Sequence, residues 1–81
     1  MSWKLYIIET KAGKLYTGIT TNLTRRLQEH KNKKKGARFF YFSEPQSVVY
    51  VEDHISRSSA SKREYEIKKM SRTEKMMLIK K

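Results

Sequence analysis

The stretch Trp3-Lys4-Leu5-Tyr6-Ile7-Ile8-Glu9-Thr10-Lys11-Ala12-Gly13-Lys14-Leu15-Tyr16-Thr17-Gly18 decides the fold. Its two arms, Trp3 to Glu9 and Leu15 to Gly18, are rich in aromatic and β-branched residues, and the residues between them end on Gly13-Lys14, so the whole reads as a β-hairpin. Loop length sets the register. A two-residue loop at Ala12-Gly13 makes facing residues sum to an odd number and puts Tyr6 and Tyr16 on opposite faces. A three-residue loop, Lys11-Ala12-Gly13, with Gly13 in the left-handed conformation of a bulge, gives an even sum and brings both rings to one face. The second register is the expected one. It sets Gly18 opposite Tyr6, where a residue without a side chain leaves space beside the ring.

Downstream, Thr20, Thr21 and Asn22 are all acceptable caps for a helix from about Leu23 to Lys33, with Leu23 and Leu27 as its apolar stripe. Arg26 and His30 flank that stripe and, four apart, are neighbours on the helix surface. Gly36 closes the segment, and Lys31 to Arg38 forms a basic loop. Val48-Val49-Tyr50-Val51, with Pro45 ahead of it, predicts a buried central strand. Ser56 or Ser58 caps a second helix ending near Met70, and Ser71-Arg72-Thr73-Glu74 is a capping-box pattern for a third. These elements make a single α+β domain over residues 1–81, because a chain this short has apolar surface for one core and no more.

Hydrophobic residues make up 37% and charged residues 33% of the chain, enough for a core with little surplus. Cysteine is absent, which removes disulfides and thiolate zinc sites and suits a reducing cytoplasm. The longest apolar stretches, Leu5 to Ile8 and Val48 to Val51, are strand-sized and far short of the roughly 18 residues of a membrane span, and no signal-peptide pattern opens the chain. A soluble, cytoplasmic chain without a membrane partner is the expectation. Nineteen Lys and Arg against eight Asp and Glu give a formal charge of +11, which points to a polyanionic partner, nucleic acid ahead of membrane.

Few residue types here can carry chemistry, and each has a structural alternative. Ala60, Glu64 and Ile67 follow the i, i+4, i+7 spacing of an inward helix face. A carboxylate there requires a cation, either a Lys or Arg partner or a metal ion. Tyr6 and Tyr16 are core tyrosines with surface hydroxyls, or a pair aimed at one face. Arg26 and His30 are solvated helix residues, or a phosphate-binding cation beside an imidazole that titrates near neutrality. Lys33, Lys34, Lys35 and Arg38 are expected to make generic phosphate contacts.

At Leu5-Tyr6-Ile7 and Tyr16-Thr17-Gly18, followed by Asn22-Leu23-Thr24-Arg25-Arg26-Leu27-Gln28-Glu29-His30, then Tyr50-Val51-Glu52, Arg63-Glu64-Tyr65-Glu66-Ile67-Lys68 and Ser71-Arg72, the chain resembles the GIY-YIG nuclease family, in its short single-domain bacterial, excinuclease-like branch. Single motifs of this kind are weak, whereas their order and spacing over nearly the whole chain are specific. The resemblance implies a small antiparallel, three-stranded sheet flanked by about three helices. Carried over position by position, it makes Tyr6 and Tyr16 the motif tyrosines, Gly18 the motif glycine, Arg26 the helix arginine with Arg25 as its adjacent alternative, His30 the residue four further on, and Glu64 the metal-binding glutamate. Lys4 replaces the glycine of the first motif, Thr17 the isoleucine of the second, and the asparagine that larger relatives carry near the domain's end has no match.

The expected activity is hydrolysis of phosphodiester bonds in DNA rather than RNA, in DNA repair or processing. It would be assisted by one divalent cation, magnesium ahead of manganese, held by Glu64 and water, with Arg26 stabilising developing charge and Tyr6, helped by His30 or Tyr16, handling the attacking water. A protein partner is an expected source of specificity. The competing reading is a nucleic-acid-binding module without catalysis that uses the same basic face.

Overall fold

The chain runs β1 (Trp3–Thr10), β2 (Leu15–Thr20), α1 (Leu23–Asn32), β3 (Pro45–His54), α2 (Arg57–Lys68) and α3 (Arg72–Ile79), in a computed structural model that describes residues 2–32 and 44–80. The β1–β2 hairpin closes through the three-residue loop. Thr10 N–H donates to the Lys14 carbonyl and Gly13 N–H to the Thr10 carbonyl, both at 2.9 Å. Gly13 has φ +82°, a left-handed conformation that only glycine adopts freely. Tyr6 accordingly lies opposite Gly18, and Ile8 opposite Tyr16.

Strand order is β2-β1-β3, antiparallel throughout, which is the expected α+β sheet with three helices around it. Its centre is not the expected one. β1 is central, and β3, with its Val48-Val49-Tyr50-Val51 run, forms an edge. The side chains from Leu5 to Ile8 are at most 1% exposed, because both faces of β1 are covered. β3 spends its apolar run differently. Its register slips between Ile7 and Ile8, where Tyr50 pairs with Ile7 and Val48 with Ile8, leaving Val49 as an extra residue. A bulge of this kind reverses the alternation of side chains. Val49 and Tyr50 therefore pack on one face and Val48 on the other, while Val51 is 44% exposed. Pro45, which has no N–H to give a ladder, opens the strand, a position that an edge strand tolerates.

Each sheet face takes its own helices. On one, Leu5 and Ile7 meet Ile67 of α2, with Met70, Leu78 and Ile79 packed around them. On the other, Tyr6 and Ile8 meet Leu23 and Leu27 of α1. Burying a large aliphatic side chain contributes roughly 1.5–3 kcal/mol, so Leu5, Ile7, Ile8 and Ile67, each 0% exposed, are a main source of stability.

Local signals set the helix starts. Asn22 Oδ1 accepts from Arg25 N–H at 3.0 Å and starts α1. Ser56, not Ser58, caps α2, its Oγ accepting from Ser59 N–H at 3.1 Å. α2 stops at Lys68 with Lys69 as C-cap, and Ser71 and Glu74 form the expected reciprocal box on α3, at 3.2 and 3.0 Å.

Candidate active site

The site is built around the Tyr6 hydroxyl. Tyr6 projects from the central strand toward α1, and its ring lies across Gly18. A Cβ placed on Gly18 would sit 2.6 Å from Tyr6 Oη, 2.7 Å from its Cζ and 3.1 Å from Tyr16 Cε2. The space that glycine leaves is thus occupied by Tyr6 itself rather than left open. Tyr16, two residues from Gly18 along β2 and on the same face as Tyr6, stands with its ring centroid 6.3 Å from that of Tyr6.

α1 supplies the next two groups. His30 continues the stripe of Leu23 and Leu27 at i+7 and is 0% exposed, so it belongs to the apolar face and does not flank it. Its Nε2 is 2.9 Å from Tyr6 Oη, and its ring meets Tyr16 edge-on at 5.4 Å. Burial and the nearby Arg26 charge lower its pKa to about 4, with Glu29 opposing. It is neutral at neutral pH. Arg26, one turn earlier, donates from Nη1 to Glu29 Oε1 at 3.0 Å and reaches the Tyr6 hydroxyl. Partial burial alone would lower the pKa of Arg26, but Glu29 and Tyr6 hold it above its ordinary value.

Tyr6 is pushed up to about 12, first by burial and next by Tyr16, while Arg26 works the other way and the Glu64 charge adds to the rise. That last influence locates Glu64 within electrostatic reach of Tyr6. Glu64 lies on α2 between the buried Ala60 and Ile67, its side chain 24% exposed. Its one ion pair among the described residues is with Lys68 Nζ, at 3.3 Å on an exposed side chain, a pair of the kind that contributes little. Tyr6, Tyr16 and His30 are therefore brought together beside Gly18 with Arg26 next to them, while Glu64 stands on α2, whose Ile67 packs on the other face of the sheet. Lys33, Lys34, Lys35 and Arg38 lie outside the described residues.

The donors fit a hard, hydrated cation. Among the described residues no group of three or more His, Cys, Asp or Glu side chains is arranged to hold a metal, so an all-protein cage has no basis here. A single, weakly paired carboxylate such as Glu64 suits an ion such as magnesium that keeps most of its water. A groove of about 690 Å³ runs between α2 and α3, lined by Arg63, Met70, Glu74, Met77, Leu78 and Lys80, and takes in none of the five residues.

A second polar network was not anticipated from sequence. Glu52 of β3 accepts from Tyr50 and takes Arg63 Nε on both oxygens, at 3.2 and 3.1 Å. His54 bridges Glu52 at 2.7 Å and Ser59 at 2.6 Å. Burial disfavours the Glu52 carboxylate, but Tyr50, His54 and Arg63 outweigh it and hold its pKa below the usual range. The available signal was Glu52 and His54 two apart on a strand, hence on one face. The network pins α2 to β3 through Arg63, the residue before Glu64, and so sets the rotation of the helix that carries the carboxylate.

A small α+β domain with a tyrosine hairpin, an Arg-x-x-x-His helix and a glutamate on the following helix is the architecture of a GIY-YIG catalytic domain, and the sequence profile of that domain matches residues 2–77. The chain belongs to the GIY-YIG family, a family of nucleases, and its near relatives are short single-domain members. It is 49% identical to the UPF0213 protein DP2720 of Desulfotalea psychrophila over 98% of this chain and 72% of that protein. With the UPF0213 protein SH2523 of Staphylococcus haemolyticus it shares 44% identity over 93% of this chain and 90% of the other. The solution NMR structure of the UPF0213 protein BH0048 from Bacillus halodurans is similar with a TM-score of 0.61 and 31% identity, covering 99% of this chain and 84% of that one. Among the described residues no helix is long and apolar enough to cross a membrane.

Proposed function

We propose that the protein is a cytoplasmic endonuclease that hydrolyses phosphodiester bonds in DNA, in repair or processing, with one divalent cation, magnesium ahead of manganese, at Glu64. The observation that carries this reading is the sharing of one buried hydroxyl: Tyr6 Oη meets His30 Nε2 at 2.9 Å and also the Arg26 guanidinium. A neutral imidazole beside a phenol is a proton acceptor, and a guanidinium on the same oxygen stabilises the phenolate that results.

Arg26 binds the scissile phosphate and stabilises charge as it develops. Water attacks phosphorus and gives its proton to Tyr6 Oη as the Tyr6 proton passes to His30 Nε2. The bond from phosphorus to the leaving sugar oxygen breaks, and that oxygen takes up a proton from solvent. At rest, burial and then Arg26 lower the pKa of His30, while burial, Tyr16 and Glu64 raise that of Tyr6 against the pull of Arg26. A cation bound at Glu64 supplies positive charge for the phosphate and the leaving oxygen. So small a domain has little surface for reading bases, and specificity is assigned to substrate shape or to a protein partner.

The test is incubation of the purified protein with labelled single-stranded, duplex and branched DNA, with and without magnesium. Magnesium-dependent cleavage of at least one substrate is expected. Salt-sensitive binding with no cleavage under any metal condition would replace the enzyme with a binding module.

A further inference from the structure

Two clefts of equal size, about 280 Å³ each, flank the hairpin. One is lined by Lys11, Lys31, Glu44 and Pro45, and its charge is partly offset from within, since Lys11 Nζ pairs with Glu44 at 2.9 Å. The other is lined by Lys14, Leu15, Arg72 and Lys75. No carboxylate lines it, and none of its three cations makes an ion pair among the described residues. Arg72 and Lys75 are three apart on α3 and so share a face, while Lys14 arrives from the residue before β2. Three like charges around one hollow repel each other, and an anion placed between them adds an attractive term with each, at shorter range than the repulsions it offsets. A phosphoryl oxygen cluster, which accepts from a guanidinium and two ammonium groups, matches the donors.

We propose that this cleft binds one backbone phosphate of the nucleic-acid strand cut at Tyr6, as an anchor separate from the catalytic centre. The inference rests on the nuclease reading above and deepens it. β2 links the two places. Tyr16 is two residues beyond Lys14, about 7 Å along the edge strand, while α3 and Tyr16 pack on opposite faces of the sheet, so a nucleic-acid strand held in the cleft passes over the β2 edge to reach Arg26. Two attachment points fix the direction and register in which a strand crosses the site, without reading any base.

The experiment compares Arg72→Gln/Lys75→Gln with Lys62→Gln/Lys80→Gln, which removes the same charge from side chains outside the cleft. Oligonucleotide affinity is measured against salt by fluorescence anisotropy. Loss of one phosphate contact lowers the slope of log Kd against log salt by about 0.7–0.9. That loss in the cleft variant, with the wild-type slope in the other, is the expected result. Equal slopes in the two variants would overturn the proposal in favour of diffuse charge. A second arm reads the cleft without nucleic acid: inorganic phosphate titrated into labelled protein should shift the Leu15, Arg72 and Lys75 amide signals saturably, and should fail to do so in Arg72→Gln/Lys75→Gln. Absence of those shifts in the parent overturns the cleft even where cleavage is observed. Their presence in a protein that binds no oligonucleotide leaves an anion site for free phosphate and overturns its assignment to nucleic acid.

Discussion

Gly18→Ala adds one methyl group at the point where the hairpin meets the proposed centre. Gly18 does not adopt a left-handed backbone, so the residue change itself is not strained there, and alanine even gains roughly 0.5–1 kcal/mol over glycine in a strand through backbone entropy. Contact decides the outcome. The new carbon would fall 2.6 and 2.7 Å from Tyr6 Oη and Cζ, and Tyr6, 1% exposed, is hemmed in by Tyr16 and His30. Its ring must move by about 1 Å, and overpacking of this kind costs roughly 1–3 kcal/mol. Moving the hydroxyl that far takes it beyond hydrogen-bonding range of His30 Nε2, now at 2.9 Å. The net loss is about 1–2 kcal/mol, or about 5–15 °C in Tm for a domain of this size, and cleavage should fall on the order of 100-fold from misplacement of the relay. Thermal denaturation followed by circular dichroism reads the first quantity and single-turnover cleavage the second. A Gly18→Ala protein at least as stable as its parent and equally active would refute the placement of Tyr6 over Gly18.

Other changes test other parts of the account. His30 binds its proton less readily when folded, about 4 against 6.5, so the unfolded chain takes up more protons between those values and stability is lost as pH falls through that window, by something of order 3 kcal/mol; urea titrations across pH 7 to 4 should show the loss, and His30→Gln should flatten it. Tyr6, raised to about 12, contributes stability that is lost as pH rises from 10 through 12, and absorbance near 295 nm should show one tyrosine titrating last, a component missing from Tyr6→Phe. Thr17 Oγ1 is buried with no hydrogen-bond partner among the described residues, so Thr17→Val should stabilise by about 1–3 kcal/mol in chemical denaturation. Ser71→Ala removes one half of the α3 capping box and should cost about 1 kcal/mol, with α3 amides exchanging faster.

The hairpin was legible in the sequence because a single glycine conformation fixes it: with Gly13 left-handed, the even register follows, and with it the pairing of Tyr6 with Gly18. Capping was legible for the same reason, since Ser71 and Glu74 act within one turn. What escaped depends on contacts far apart in the chain. Four apolar residues at Val48 to Val51 imitate a central strand, and only the order β2-β1-β3 leaves them at an edge, with the bulge at Val49 dividing them between the two faces. His30 was read as flanking its helix stripe because imidazole is not counted as apolar, although its i+7 spacing from Leu23 places it inside. The Glu52, His54, Ser59 and Arg63 network joins a strand to a helix, and its partners become visible only when the two elements are docked.

Arg26→Ala and Glu64→Ala, assayed for cleavage of labelled DNA in magnesium beside their circular-dichroism spectra, test most directly whether the residues around Tyr6 form a catalytic centre. Each variant should keep the parent spectrum and lose cleavage. Full cleavage in either, or unfolding of both, would mean that these side chains hold the domain together and do not carry out its chemistry.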